Sequence, residues 1–274
     1  MLETTDGYFN IGVDADRFPS AARKLEWCAE LYNSLKPALD AYRETATFSW
    51  QRRGPDDRGF FTHWREPSEE LPIHLEGLIG DAIHNIRVTL DLLVSDLAVI
   101  RGMNRGLASF PFGNTLEGLT EILENRKNKS RPFYKLGDEF KKLVFELKPY
   151  DGGNDLLYAI NKLDNIGKHR SIVGLELHAE IELSVMGAEL LSAGGPRLYL
   201  PYERILQPLR GETQSISIQP NMVNFALWKQ TGRIAVGLKG YEPVERVNAL
   251  SLIVDMILLT NRIRVSFEET FGNA

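Results

Sequence analysis

Two polar clusters set into apolar helical runs constrain this chain more than any other feature. The first is Gly80-Asp81-Ala82-Ile83-His84-Asn85-Ile86-Arg87-Val88-Thr89-Leu90-Asp91. The second is Leu163-Asp164-Asn165-Ile166-Gly167-Lys168-His169-Arg170. Charges held beside a core are costly unless they are paired. A fold that accepts both clusters must lock them into an ion-pair network or use them as a site.

Helical geometry decides how the first cluster is arranged. At about 100° per residue, Ile83, Ile86, Leu90, Leu93, Val94 and Leu97 form an apolar stripe. His84, Arg87 and Asp91 fall together on one shoulder of it, with Asp91 one turn from Arg87. Gly77 and Gly80 weaken such a helix by about 1 kcal/mol each relative to Ala, which suggests close approach of another segment or a ligand. In the second cluster Leu156, Leu157, Ile160 and Leu163 set the apolar face, and Asp164 points between them. Its economical partner is His84 or Arg87. Gly167 is suited to a left-handed cap. Lys168, His169 and Arg170 then leave the helix at its negative end.

The rest of the pattern reads as helices, then strands, then a last helix. A helix spans about 20–42, with Pro37 expected to kink or split it. Aromatic runs around 47–50 and 60–64 flank Gly54-Pro55-Asp56-Asp57-Arg58-Gly59, which predicts a β-hairpin at about 45–66. Further helices are predicted at about 73–100, 115–125, 136–147 and 155–166, with Phe110-Pro111-Phe112 as an extended apolar plug. After Arg170 the segments near 171–177, 180–185, 215–218, 223–229 and 233–237 are strand-like. A long apolar helix closes the chain. The predicted class is α+β: a helical bundle with its hairpin over 1–170, an antiparallel β-rich region over 171–242, and a C-terminal helix over 243–274 that returns to the bundle, all in one compact domain.

Composition narrows the function. Among 274 residues the net charge is −5, which argues against nonspecific coating of nucleic acid but leaves room for a local basic groove. Cys28 is the only cysteine, so an internal disulfide and a cysteine-based zinc site are excluded; it reads as a small apolar helix residue. The start lacks a signal-peptide pattern, and the apolar stretch 249–259 is too short to span a membrane. A cytoplasmic protein without a membrane partner is expected. The basic loop from Arg126 to Arg131 reads first as a solvated surface connection and second as a phosphate contact.

Two imidazoles beside guanidinium and ammonium groups, with no evident nucleophile, fit acid–base chemistry on a phosphate ester. His84 and His169 would be the acid–base pair, with Arg87 as a third catalytic group. Lys168, Arg170 and Asn85 would bind the ligand, and Asp91 and Asp164 would orient the cations. RNA or a nucleotide is the expected ligand, because a 2′-hydroxyl supplies its own nucleophile. A metal site built from His84, Asp91, Asp164 and His169 ranks lower, since Arg87 and the Lys168–Arg170 run repel a divalent cation. No metal or other cofactor is expected, and neither a nucleophile elbow nor a glycine-rich phosphate loop is present. The alternative is a noncatalytic binding or scaffold module whose network is structural or holds a small anion. The C-terminal helix could also close a homodimer.

The same residues resemble a group of uncharacterised bacterial and phage-associated proteins. That group carries Gly-Asp-x-x-His-Asn-Leu-Arg-x-x-Leu-Asp-His, a Phe-Pro-Ile plug, a Pro-Tyr turn and Asp-Asn-x-Asp-Lys-His-Arg. Gly80, Asp81, His84, Asn85, Arg87, Leu90 and Asp91 match it here, as do Phe110-Pro111-Phe112, Pro149-Tyr150, Asp164-Asn165 and Lys168-His169-Arg170. Leu92 stands where the group has His, and Gly167 where it has Asp. The resemblance spans about 20–175 and implies no activity. A weaker resemblance is to HEPN domains, helical bundles whose nucleases carry Arg and His on one helix; here His84 precedes Arg87. That likeness implies a metal-independent ribonuclease.

Overall fold

In the computed structural model, side chains are described chiefly over 17–45, 72–104, 109–127, 132–166 and 247–272, with backbone alone for some further segments. Six helices carry the described core: α1 (Pro19–Thr45), α2 (Ile73–Ile100), α3 (Leu116–Glu124), α4 (Asp138–Leu147), α5 (Asp155–Arg170) and α6 (Ala249–Phe271). α2 is the central rod. Its buried stripe, including Ile79, Ile83, Ile86, Leu90, Leu93 and Leu97, meets α1 on one side, α5 on another and α6 on a third. This is a single core in which helices bury their apolar stripes against each other.

The α+β expectation is corrected to a helical bundle, because the described structure is 79% helical. The expected hairpin and antiparallel β region add no sheet to the described core, whose residues pass from Tyr42 to Leu75 and from Leu163 to Val244 without one between. Backbone pairing outside the helices forms a two-stranded ribbon and two three-stranded antiparallel sheets, one holding Phe48–Arg53, Phe61–Pro67 and Ile216–Ile218 and the other Arg204–Pro208, Leu175–Glu182 and Gly232–Leu238. None of the side chains of these two sheets is among those described. The physical reason is that α1, α2, α5 and α6 already cover one another's apolar faces. The buried core is drawn almost wholly from helices and the turns between them.

Other local expectations also change. Pro37 does not split α1, which runs on through it. The carbonyl it leaves without an intrahelical donor belongs to Asn33. The Asn33 side chain is itself engaged: its Oδ1 accepts from Phe9 N at 2.8 Å and its Nδ2 donates to Phe9 O at 3.0 Å. α5 continues to Arg170, so Gly167 is a helix residue and not a cap. α6 opens at Asn248, whose side chain accepts from Leu250 N and Ser251 N, rather than at Pro243. The apolar face of α6 expected to close a dimer is used within the chain: Ile253, Met256, Ile257, Ile263 and Phe267 are buried.

Two features tie α1 to α2. Asp96, near the end of α2 and buried, accepts from Ser20 N at 3.0 Å and Ala21 N at 3.4 Å. It fills the capping role at the start of α1 that a residue of α1's own would otherwise supply. Midway, Cys28 Sγ lies 3.8 Å from Thr89 Oγ1, and both residues are fully buried.

Candidate functional site

The placement of α5 begins at a turn. Gly152 has φ +76°, and a Cβ on Gly153 would stand 2.5 Å from the Lys148 carbonyl, so the chain turns here only with glycine. Asn154 then caps α5 by accepting from Leu157 N at 3.0 Å. The apolar plug is pinned beside that turn. Gly113 N donates to Pro149 O at 3.1 Å, and Tyr158 Oη donates to Asn114 Oδ1 at 3.1 Å.

This launch brings α5 alongside α2 in antiparallel sense. His84 Nδ1 lies 2.8 Å from Asp164 Oδ1, and Arg87 Nε donates to Asn161 Oδ1 at 3.3 Å. As α2 advances by one turn, α5 retreats by one. The Asp164 side chain is 3% exposed and that of His84 is 46% exposed. An ionised carboxylate only accepts, so Nδ1 carries the proton between them. Nε2 is thereby the ring nitrogen left to act as base, and the ring reaches solvent. Among the described residues no side chain partners Nε2.

Arg87 is arranged differently. Its side chain is 11% exposed and pairs with Asp91. Its other terminal nitrogen reaches Phe110 O at 3.5 Å, and the guanidinium lies over the Phe112 ring, 4.7 Å from its centroid. Asp91 in turn accepts from Phe110 N at 2.7 Å. Arg87 and Asp91 together therefore hold both backbone groups of Phe110, a residue buried at the root of the plug. Asn85 faces away from the seam: its Oδ1 accepts from Lys24 Nζ at 2.9 Å, and its Nδ2 donates to Asp81 O at 2.7 Å.

The sequence-predicted residues thus separate into three sets. His84 and Asp164 meet as a half-open pair. Arg87 and Asp91 meet as a clamp on the plug. Asn85 joins α1, so the structure does not bring it to the imidazole. Lys168, His169 and Arg170 lie on the last turn of α5, and their side chains are outside the described residues. Asn161 and the Phe110 backbone escaped the sequence reading; Asn161 stands one turn before Asp164, a spacing that marks it once the two helices are known to run antiparallel. The close approach expected at Gly77 is not required, since a Cβ there would meet nothing within 4 Å. Of the basic loop, Arg126 and Lys127 are exposed and the remainder lies outside the described residues.

Among the described residues no cluster of three or more His, Cys, Asp or Glu side chains is placed to hold a metal ion. No described helix is long and apolar enough to cross a membrane. No family model, curated protein or solved structure matches the chain.

Proposed function

We propose that the chain is a metal-independent, HEPN-like phosphodiesterase acting on RNA or a related nucleotide in the cytoplasm, with His84 as general base. The observation that carries it is a half-exposed imidazole whose Nδ1 is held by an almost fully buried carboxylate, Asp164. Such a carboxylate fixes the tautomer and orientation of the ring and stabilises the imidazolium without taking its proton. In the proposed step His84 Nε2 removes the proton of a 2′-hydroxyl. The freed oxygen attacks phosphorus, the bond to the 5′-oxygen breaks, and His169 donates a proton to that leaving oxygen. A 2′,3′-cyclic phosphate and a 5′-hydroxyl result. Lys168, one helical turn past Asp164, and Arg170 are assigned to the phosphate.

The test uses the full chain, a 5′-labelled single-stranded RNA and excess EDTA. Wild type is expected to give cyclic-phosphate ends, and His84→Ala to lower the rate by about 10²–10⁴-fold. Asp164→Asn should also lower it while the fold persists by circular dichroism. A folded wild type no faster than His84→Ala would overturn the assignment. The second reading, a noncatalytic scaffold module whose network is structural, is favoured by the full engagement of Arg87 with protein groups. A folded wild type that neither retains nor cleaves RNA would select it.

A further inference from the structure

We propose, resting on the reading of His84 as the acid–base group, that Arg87 is a positioning residue: it sets the α2–α5 spacing that holds His84 against Asp164. The sequence pattern gave Arg87 a catalytic role, but its nitrogens are directed at protein. Nε meets Asn161 on α5, one terminal nitrogen meets Asp91 on its own helix, and the other meets the carbonyl of Phe110 in the plug. The flat face lies on Phe112. One rigid fork therefore joins three elements, at a side chain only 11% exposed.

The position of this fork matters to the imidazole. Arg87 is one turn beyond His84 on α2, and Asn161 is one turn before Asp164 on α5. The two cross-helix contacts are adjacent rungs between the same pair of rods, so separation at one rung changes the other. Close-packed helices move as units rather than deform locally. A displacement of about 1 Å at a reacting group can lower a rate by around 10²-fold. Lysine cannot substitute, because an ammonium is a point charge without the planar fork.

The test reads the His84 ring directly, without substrate, by ¹⁵N chemical shifts in the full-length protein, and reads kcat and KM on the labelled RNA beside it. Wild type should hold His84 as the single tautomer protonated at Nδ1. Arg87→Lys should give mixed tautomers, lower kcat by about 10–100-fold and leave KM within about twofold. Asp91→Asn, which keeps the shape of the clamp, should loosen the tautomer partway. Ile253→Val in α6 supplies a variant whose stability falls without touching the seam, and it should keep the tautomer.

Retention of a single tautomer and full kcat in Arg87→Lys would overturn the proposal. So would a raised KM at unchanged kcat with the tautomer kept, which would make Arg87 a phosphate ligand. Loss of the tautomer in Ile253→Val to the same degree would overturn it too, as general loosening. If wild type cleaves no RNA, the phosphodiesterase reading fails, and the tautomer of Arg87→Lys alone decides the positioning role.

Discussion

On the side of α2 that meets α1, Asp96 and Thr89 are sealed in and matched to groups of the neighbouring helix. Asp96 caps α1, and Thr89 touches the thiol of Cys28. On the side that meets α5, Asp164 is sealed but its partner His84 is not. Both seams bring charged or polar groups beside the same apolar stripe. The first, the part-buried Lys24–Asn85 contact aside, holds its polar atoms inside, whereas the second ends in a half-exposed imidazole. A buried polar group is thus a poor guide to function by itself. Access to its partner separates a joint from a site.

That contrast breaks most readily at Asp96. Asp96→Ala removes the acceptor of two helix-start amides and should lower unfolding free energy by about 2–3 kcal/mol, measured by urea denaturation. A loss below about 0.5 kcal/mol would show that the α1 seam does not depend on its polar contacts.

A smaller effect should come from Cys28, whose thiol is pushed up to about 11, first by burial and against the lowering influence of Thr89 and Lys24. The folded state keeps the thiol protonated while the unfolded chain ionises it near 9.0. The stability linked to this group is therefore complete below pH 9 and is lost between pH 9 and 11. At pH 10 wild type should lose about 1.4 kcal/mol more than Cys28→Ala, relative to pH 8. Equal losses in the two proteins would mean that the thiol is not sealed.

The smallest effect on stability is expected at the α5 seam. His84→Asn, whose amide nitrogen takes the place of Nδ1, keeps a donor for Asp164 at a half-exposed position and should change unfolding free energy by about 0.5 kcal/mol or less, even as it removes the proposed base. A drop of about 2 kcal/mol would make His84 a structural lock and erase the difference between the two seams.

Much of this was legible from residue spacing. The shoulder formed by His84, Arg87 and Asp91 follows from helical periodicity, and the need of Asp164 for a partner follows from its direction between Leu157 and Ile160. The spacing could not say which of His84 and Arg87 would meet it. That depends on the antiparallel register of α2 and α5, which is set by the glycine turn at 152–153 and the cap at Asn154. The α+β class failed for a related reason. Alternating apolar residues announce extended chain, but whether that chain packs as a layer depends on whether the helices leave a face uncovered. Pro37 and Gly167 show tertiary packing overriding local preference: α1 and α5 continue through residues that, read alone, end helices.

Asn33 carries a consequence of another kind. Its carboxamide clasps Phe9 by both backbone groups, as a neighbouring strand would, and the Phe9 ring sits edge-on to Tyr32 with centroids 5.7 Å apart. Deamidation to aspartate would keep the acceptor and lose the donor, turning a carboxylate oxygen toward the Phe9 carbonyl. One slow chemical event of ageing would thus loosen the segment around Phe9, a buried member of the core, and a protease would find the difference before a melting curve did.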